Sequence, residues 1–169
     1  MKVSVRMNLA VYLVLVCHLP IANLGARAAV PAQKQEDQPR NVELTNAAWD
    51  AYNEGKYEVA ISAADRCIQR FKEEADRTQN ELTKNHAPVP PTGKVSADQK
   101  KTILDNGVLN DVPTCYWIKG RAAQKLQRTA QAKEAYQAAL RYSYSRTWDP
   151  KGSFWSPAED AADRLKDLK

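Results

Sequence analysis

Histidine is almost missing from this chain, and phenylalanine, cysteine and glycine are scarce. Its 169 residues include two His, two Phe, three Cys and six Gly. Each shortage closes off some chemistry. The glycines are scattered, so no glycine-rich loop is available to cradle phosphates. His18 lies near the N-terminus and His86 in a proline-bearing loop. A Ser-His-Asp triad needs a histidine held by packed elements, and zinc needs three or four ligands at suitable spacing. One loop histidine and two distant cysteines supply neither, so no metal or cofactor is implied. Two carboxylates could serve a glycosidase, but Asp and Glu here fall mostly on polar helix faces, where solvation is the ordinary state.

Long hydrophobic runs are missing as well. The main one, Leu9 to Val16, is followed closely by Pro20. A spanning helix needs roughly 18 or more apolar residues, so no stable membrane insertion is expected. Lys2 and Arg6 precede the run, and Ala26-Arg27-Ala28 supplies a small-x-small pattern after it. That order is a secretory signal peptide over residues 1–28, cleaved after Ala28. The implied location is the periplasm or the cell exterior. Cys17 offers a lesser alternative, a lipidated N-terminus, although the residue before such a cysteine is normally small and here it is Val16.

A strong excess of one charge is also absent. The whole chain has 25 Lys and Arg against 20 Asp and Glu. Residues 1–28 hold Lys2, Arg6 and Arg27 and no acid, so the remainder stands at 22 against 20. No window supplies the clustered positive face of a nucleic-acid binder. Cys67 and Cys115 lie beyond the signal. An exported protein can oxidise such a pair, which makes them a candidate disulfide. The alternative is two buried thiols, each packed as a small hydrophobe.

What is present is helical spacing. Residues 29–40, AVPAQKQEDQPR, are polar and read as a disordered lead. From Asn41, the residues Leu44, Ala48, Ala51 and Tyr52 recur three and four apart until Gly55. Tyr57, Ala60, Ile61, Ala64, Ile68, Phe71, Ala75 and Leu82 carry the period on to about Lys84. Residues 85–95, NHAPVPPTGKV, form a loop. Ser96 caps a short helix that Gly107 stops. Asn110 or Asp111 caps the next helix, with Pro113 in its first turn, and it runs to about Leu126. Thr129 can cap a helix over 130–142. Ser156-Pro157-Ala158-Glu159 opens a last helix over about 157–168. No alternating β pattern appears beyond the signal, and the expected class is all-α.

Two helical hairpins resemble each other: LTNAAWDAYNEGKYEVAISAADRCI and YWIKGRAAQKLQRTAQAKEAYQAAL. Both look like tetratricopeptide repeats (TPR), whose period is 34 residues. In the first, Gly55, Tyr57, Ala60 and Ile61 match the G-x-Y-x-x-A-I core between the two helices. In the second, Gly120, Ala132, Tyr136, Ala139 and Leu140 match the glycine of the first helix and the small and large positions of the second. Departures are Ala48 in place of the helix glycine of the first unit, and Gln127 and Thr129 in place of a glycine and a tyrosine in the second. The offset between units is 72 residues, two periods plus four. The resemblance implies repeat units over about 41–71 and 112–144, an insert over about 72–111 and a C-terminal cap over 145–169.

Such repeats stack into a curved array that holds a peptide or protein segment on its concave face. Carried over residue by residue, the groove falls on Val42, Thr45, Trp49, Tyr52 and Asn53, and on Thr114, Trp117, Arg121, Gln124 and Lys125. Trp, Tyr and Arg dominate binding hot spots. Trp49, Tyr52, Asn53, Trp117, Arg121, Gln124 and Lys125 are therefore the candidate partner-binding residues, with core packing as the other reading of the tryptophans. The second hairpin lacks a third repeat to cover it. Trp148, Phe154 and Trp155, in TWDPKGSFWSP, are expected to fold back as its cap, the alternative being an exposed ligand platform. The implied function is an exported binding or scaffold module for a protein or peptide, without catalysis. A secreted hydrolase or accessory enzyme acting on envelope carbohydrate is the alternative.

Overall fold

Wherever apolar residues recur three and four apart, the backbone winds into a helix. The computed structural model describes residues 40–168, which belong to one unit, Glu36–Lys169. The expected signal peptide, Cys17 and the lead up to residue 39 lie outside the described residues. The helices are α1 (Asn41–Asn53), α2 (Tyr57–Lys84), α3 (Ala97–Asp105), α4 (Val108–Lys125), α5 (Thr129–Ala139) and α6 (Pro157–Asp167). Two short strands, β1 (Thr147–Asp149) and β2 (Ser153–Trp155), stand before α6. The fold is predominantly helical.

The turn between α1 and α2 and the turn between α4 and α5 close in the same way. Gly55, at φ +76°, ends α1, with its N–H on Tyr52 O at 3.0 Å and the Lys56 N–H on Ala51 O at 2.9 Å. Gln127, at φ +59°, ends α4, with its N–H on Gln124 O at 3.0 Å and the Arg128 N–H on Ala123 O at 2.9 Å. This paired closure satisfies carbonyls that a helix end leaves open.

Helix α4 is the centre of the packing. It lies against α1, α2, α5 and α6 and touches β1. A helix covered on several sides must be apolar nearly all round, and Leu109, Val112, Cys115, Ile118, Ala122 and Ala123 are fully buried. Gly120 permits its closest approach. A Cβ there would stand 2.5 Å from Cε1 of Tyr136 on α5, so the tyrosine ring lies flat on the glycine backbone.

Helix α2 runs to Lys84, as its apolar period indicates, so the expected insert over about 72–111 begins inside a repeat-like helix. Three features differ from the sequence reading. Helix α4 starts at Val108, after Gly107 at φ +42°, which puts Pro113 in its second turn. Helix α5 ends at Ala139, short of the expected Tyr142. Most notable, the segment read as an irregular aromatic cap is a β-hairpin, with Thr147 paired to Trp155, Trp148 to Phe154 and Asp149 to Ser153. β-Branched and aromatic residues on both sides of Asp149-Pro150-Lys151-Gly152 favour a pleated pair, but three residues a side are too few to show an alternating pattern. The proline loop then docks on this hairpin. The Gly93 N–H donates to Phe154 O at 2.7 Å, and the Phe154 N–H donates to Gly93 O at 2.8 Å.

The capping signals hold where they were clearest. The Ser96 hydroxyl accepts from the Gln99 N–H at 3.3 Å, and the Ser156 hydroxyl from the Glu159 N–H at 3.3 Å.

Candidate functional site

Five parts of the chain converge on one open groove of about 830 Å³. Trp49 and Asn53, one helical turn apart, reach it from α1, and Trp117 reaches it from α4. The β-hairpin contributes Trp148, Asp149, Pro150, Phe154 and Trp155, and the docked loop contributes Thr92 and Gly93. Ser156 and three acids of α6, Glu159, Asp160 and Asp163, complete the lining. The chain has four tryptophans, and all of them line this groove.

Three of the tryptophan rings form a connected row, and the fourth pairs with Phe154. Trp49 and Trp117 have centroids 5.3 Å apart, and Trp117 and Trp155 4.9 Å apart. Phe154 meets Trp148 edge-on at 4.9 Å. Trp117 is the floor, only 8% exposed, whereas Trp148 is the rim, 38% exposed. Trp49 and Trp155 are half-buried between them. The Trp117 Nε1–H donates to Asp160, which also receives Arg164. That arrangement gives a buried indole the partner its polar edge requires. Arg121 and Arg164 lie over the Trp117 ring at 5.4 and 5.2 Å.

The candidate residues divide. Trp49, Asn53 and Trp117 line the groove. Tyr52 and Arg121 stand beside it and hold each other, with Arg121 donating to Tyr52 Oη from Nε at 3.2 Å and from Nη2 at 3.0 Å. Gln124 faces α5 and accepts the Tyr136 hydroxyl. Lys125 is exposed and does not line the groove. Of the remaining carried-over positions, Val42 is exposed, Thr45 is buried and Thr114 is bonded to the Thr147 hydroxyl at 2.6 Å. Of the ten carried-over positions, Trp49, Asn53 and Trp117 line the groove.

Phe154 and Trp155 are both packed and part of the lining. Phe154 is 2% exposed, while Trp155 packs one side on Trp117 and turns another to the groove. The acids of α6 were not singled out from sequence. Their signal was Glu159 and Asp163 at i, i+4, a spacing that places both on one face of the helix.

The cysteines sit elsewhere. Cys67 of α2 and Cys115 of α4 are brought together, but as free thiols, both fully buried. Thr45 Oγ1 lies 3.6 Å from one sulfur and 3.4 Å from the other. Burial pushes the Cys115 thiol up, and its hydrogen bond to Cys67 draws the Cys67 thiol down. Nearby Asp111 is pushed up to about 6 by burial, against a hydrogen bond from Asn41. Among the described residues no cluster of His, Cys, Asp and Glu is placed to hold a metal ion, and no helix is long and apolar enough to cross a membrane.

No protein-family model matches the chain, and comparisons with curated proteins and with solved structures return no match either.

Proposed function

We propose that this chain is an exported binding module that holds a segment of another protein or peptide in the tryptophan groove. The observation that carries the reading is the gathering of all four tryptophans on one groove of about 830 Å³. A concave lining that combines aromatic rings with placed polar groups is a usual form of binding site. Tryptophan concentrates binding energy because it offers a large rigid area at little entropic cost. A TPR-like origin for the two hairpins is supported by their paired turn closures 72 residues apart and by the ring of Tyr136 on Gly120. Export rests on the N-terminal pattern, and a mature chain beginning at Ala29 would bear it out. The groove lining holds neither histidine nor thiol, and its purpose on this reading is retention rather than turnover.

Peptide selection from a displayed library on the purified protein tests the reading. Enriched peptides should lose roughly tenfold or more in affinity for a Trp49→Ala/Trp155→Ala variant that keeps its helical circular dichroism. Peptides indifferent to that variant would move the site away from the groove. Absence of enrichment would end the peptide reading. The same rings and acids are also what a carbohydrate site would use, so oligosaccharide binding or cleavage by the purified protein would favour the hydrolase or accessory-enzyme alternative.

A further inference from the structure

The lining of the groove is acidic, and the basic side chains near it stand outside the lining. Asp149, Glu159, Asp160 and Asp163 line it, and no Lys, Arg or His does. Asp160 is already engaged by Trp117 and Arg164. The Glu159 carboxylate is different: it is exposed and has no hydrogen-bond or ion-pair partner among the described residues. One turn further on, exposed Asp163 meets only Lys166, itself a surface residue, at 2.8 Å. Two acids on one helix face thus border a row of indoles.

That combination selects for positive charge. An aromatic face attracts a cation through its quadrupole, and a neighbouring carboxylate adds Coulomb attraction. Cations of the chain itself already use these rings. Lys100 Nζ lies 4.1 Å from the centroid of Trp148, and Arg121 and Arg164 both lie over Trp117. Trp49 and Trp155 are half-buried in the same row, and among the described residues no such cation covers them.

We infer that the groove takes a basic segment, an extended peptide whose Lys or Arg side chain lies along Trp49 and Trp155 and ends at Glu159 and Asp163. The inference rests on the peptide-binding reading and adds the charge of the ligand to it. A neutral sugar would satisfy the rings and leave the Glu159 carboxylate without an ion-pair partner. An acidic peptide would meet like charge on the α6 wall.

Calorimetric titration of the purified protein tests this with equal-length peptides of one Gly/Ser/Pro frame. The peptides carry lysines, glutamines or glutamates at the same positions. The lysine peptide should bind at least about tenfold tighter than the glutamine peptide, and the glutamate peptide should not bind. The affinity of the lysine peptide should fall with added salt, as exposed charge pairs do. The Glu159→Gln/Asp163→Asn variant should lose roughly tenfold for the lysine peptide and nothing for the glutamine peptide. Both positions are exposed, so the variant keeps its core. Equal binding of the glutamine peptide, with a variant indistinguishable from the parent, would overturn the basic segment and leave the peptide reading in place. Failure of every peptide, whether or not a chitooligosaccharide titrates, would overturn both.

Discussion

Gly120 has a definite steric reason to be glycine. The space a Cβ would need is filled by the Tyr136 ring at 2.5–2.8 Å. Gly120→Ala should therefore destabilise the fold by about 1–3 kcal/mol, the ordinary cost of overpacking. Gln127 is the reverse case. Its backbone sits at φ +59°, where a side chain is strained, and Gln127→Gly should raise the unfolding midpoint slightly. Denaturant unfolding of both variants checks the pair of signs. Asp111 makes a prediction about pH. Its folded pKa is about 6, raised by burial from an ordinary value of 3.8. Between those values the native state binds more protons than the unfolded chain, so stability falls as pH rises through about 6. Asp111→Asn can still accept from Asn41. It should remove that slope and gain roughly 1–3 kcal/mol at neutral pH. A parent and variant with parallel pH profiles would show that Asp111 is solvated.

Among the elements, legibility followed length. Helices α1, α2 and α4 carry many turns of apolar spacing, and their existence was plain in the sequence. Ends were less plain. Pro113 looked like a first-turn proline, yet the helix begins five residues before it, because Gly107 supplies the break. The β-hairpin was not legible at all, since its pairing depends on two strands of three residues and on Gly93 from a distant loop. The groove was legible in part for the same reason. Trp49 and Trp117 follow from helix periodicity, but the α6 acids enter only once the hairpin turns that helix back. Phe154 is the pivot of this arrangement, 2% exposed and bonded to Gly93 through both backbone groups. Phe154→Ala should cost about 3–5 kcal/mol in the absence of any ligand. Thermal melting measures it, and an unchanged melting temperature would mean that the hairpin is not part of the cooperative core.

For the whole molecule, the arrangement separates two tasks. Helices α1, α2, α4 and α5 bury most of the apolar core and enclose the thiol pair. The proline loop, β-hairpin and α6 add a wall that makes one face of that core into a groove. The loop is thereby tied down rather than free, with Tyr144 Oη donating to Ala87 O at 3.0 Å and Gly93 paired to Phe154.

The confinement of every tryptophan to one groove also makes the protein its own optical probe. Indole emission excited at the red edge of protein absorption comes from this groove and from nowhere else in the chain. Three of the four rings stand in series at 5.3 and 4.9 Å. At that spacing their strong far-ultraviolet transitions couple, so the dichroism should carry a bisignate contribution, superposed on the helix signal, that single, isolated indoles would not give. Engagement of the groove would be visible in that contribution without a label, and its loss while helicity persists would mark the wall opening before the core unfolds.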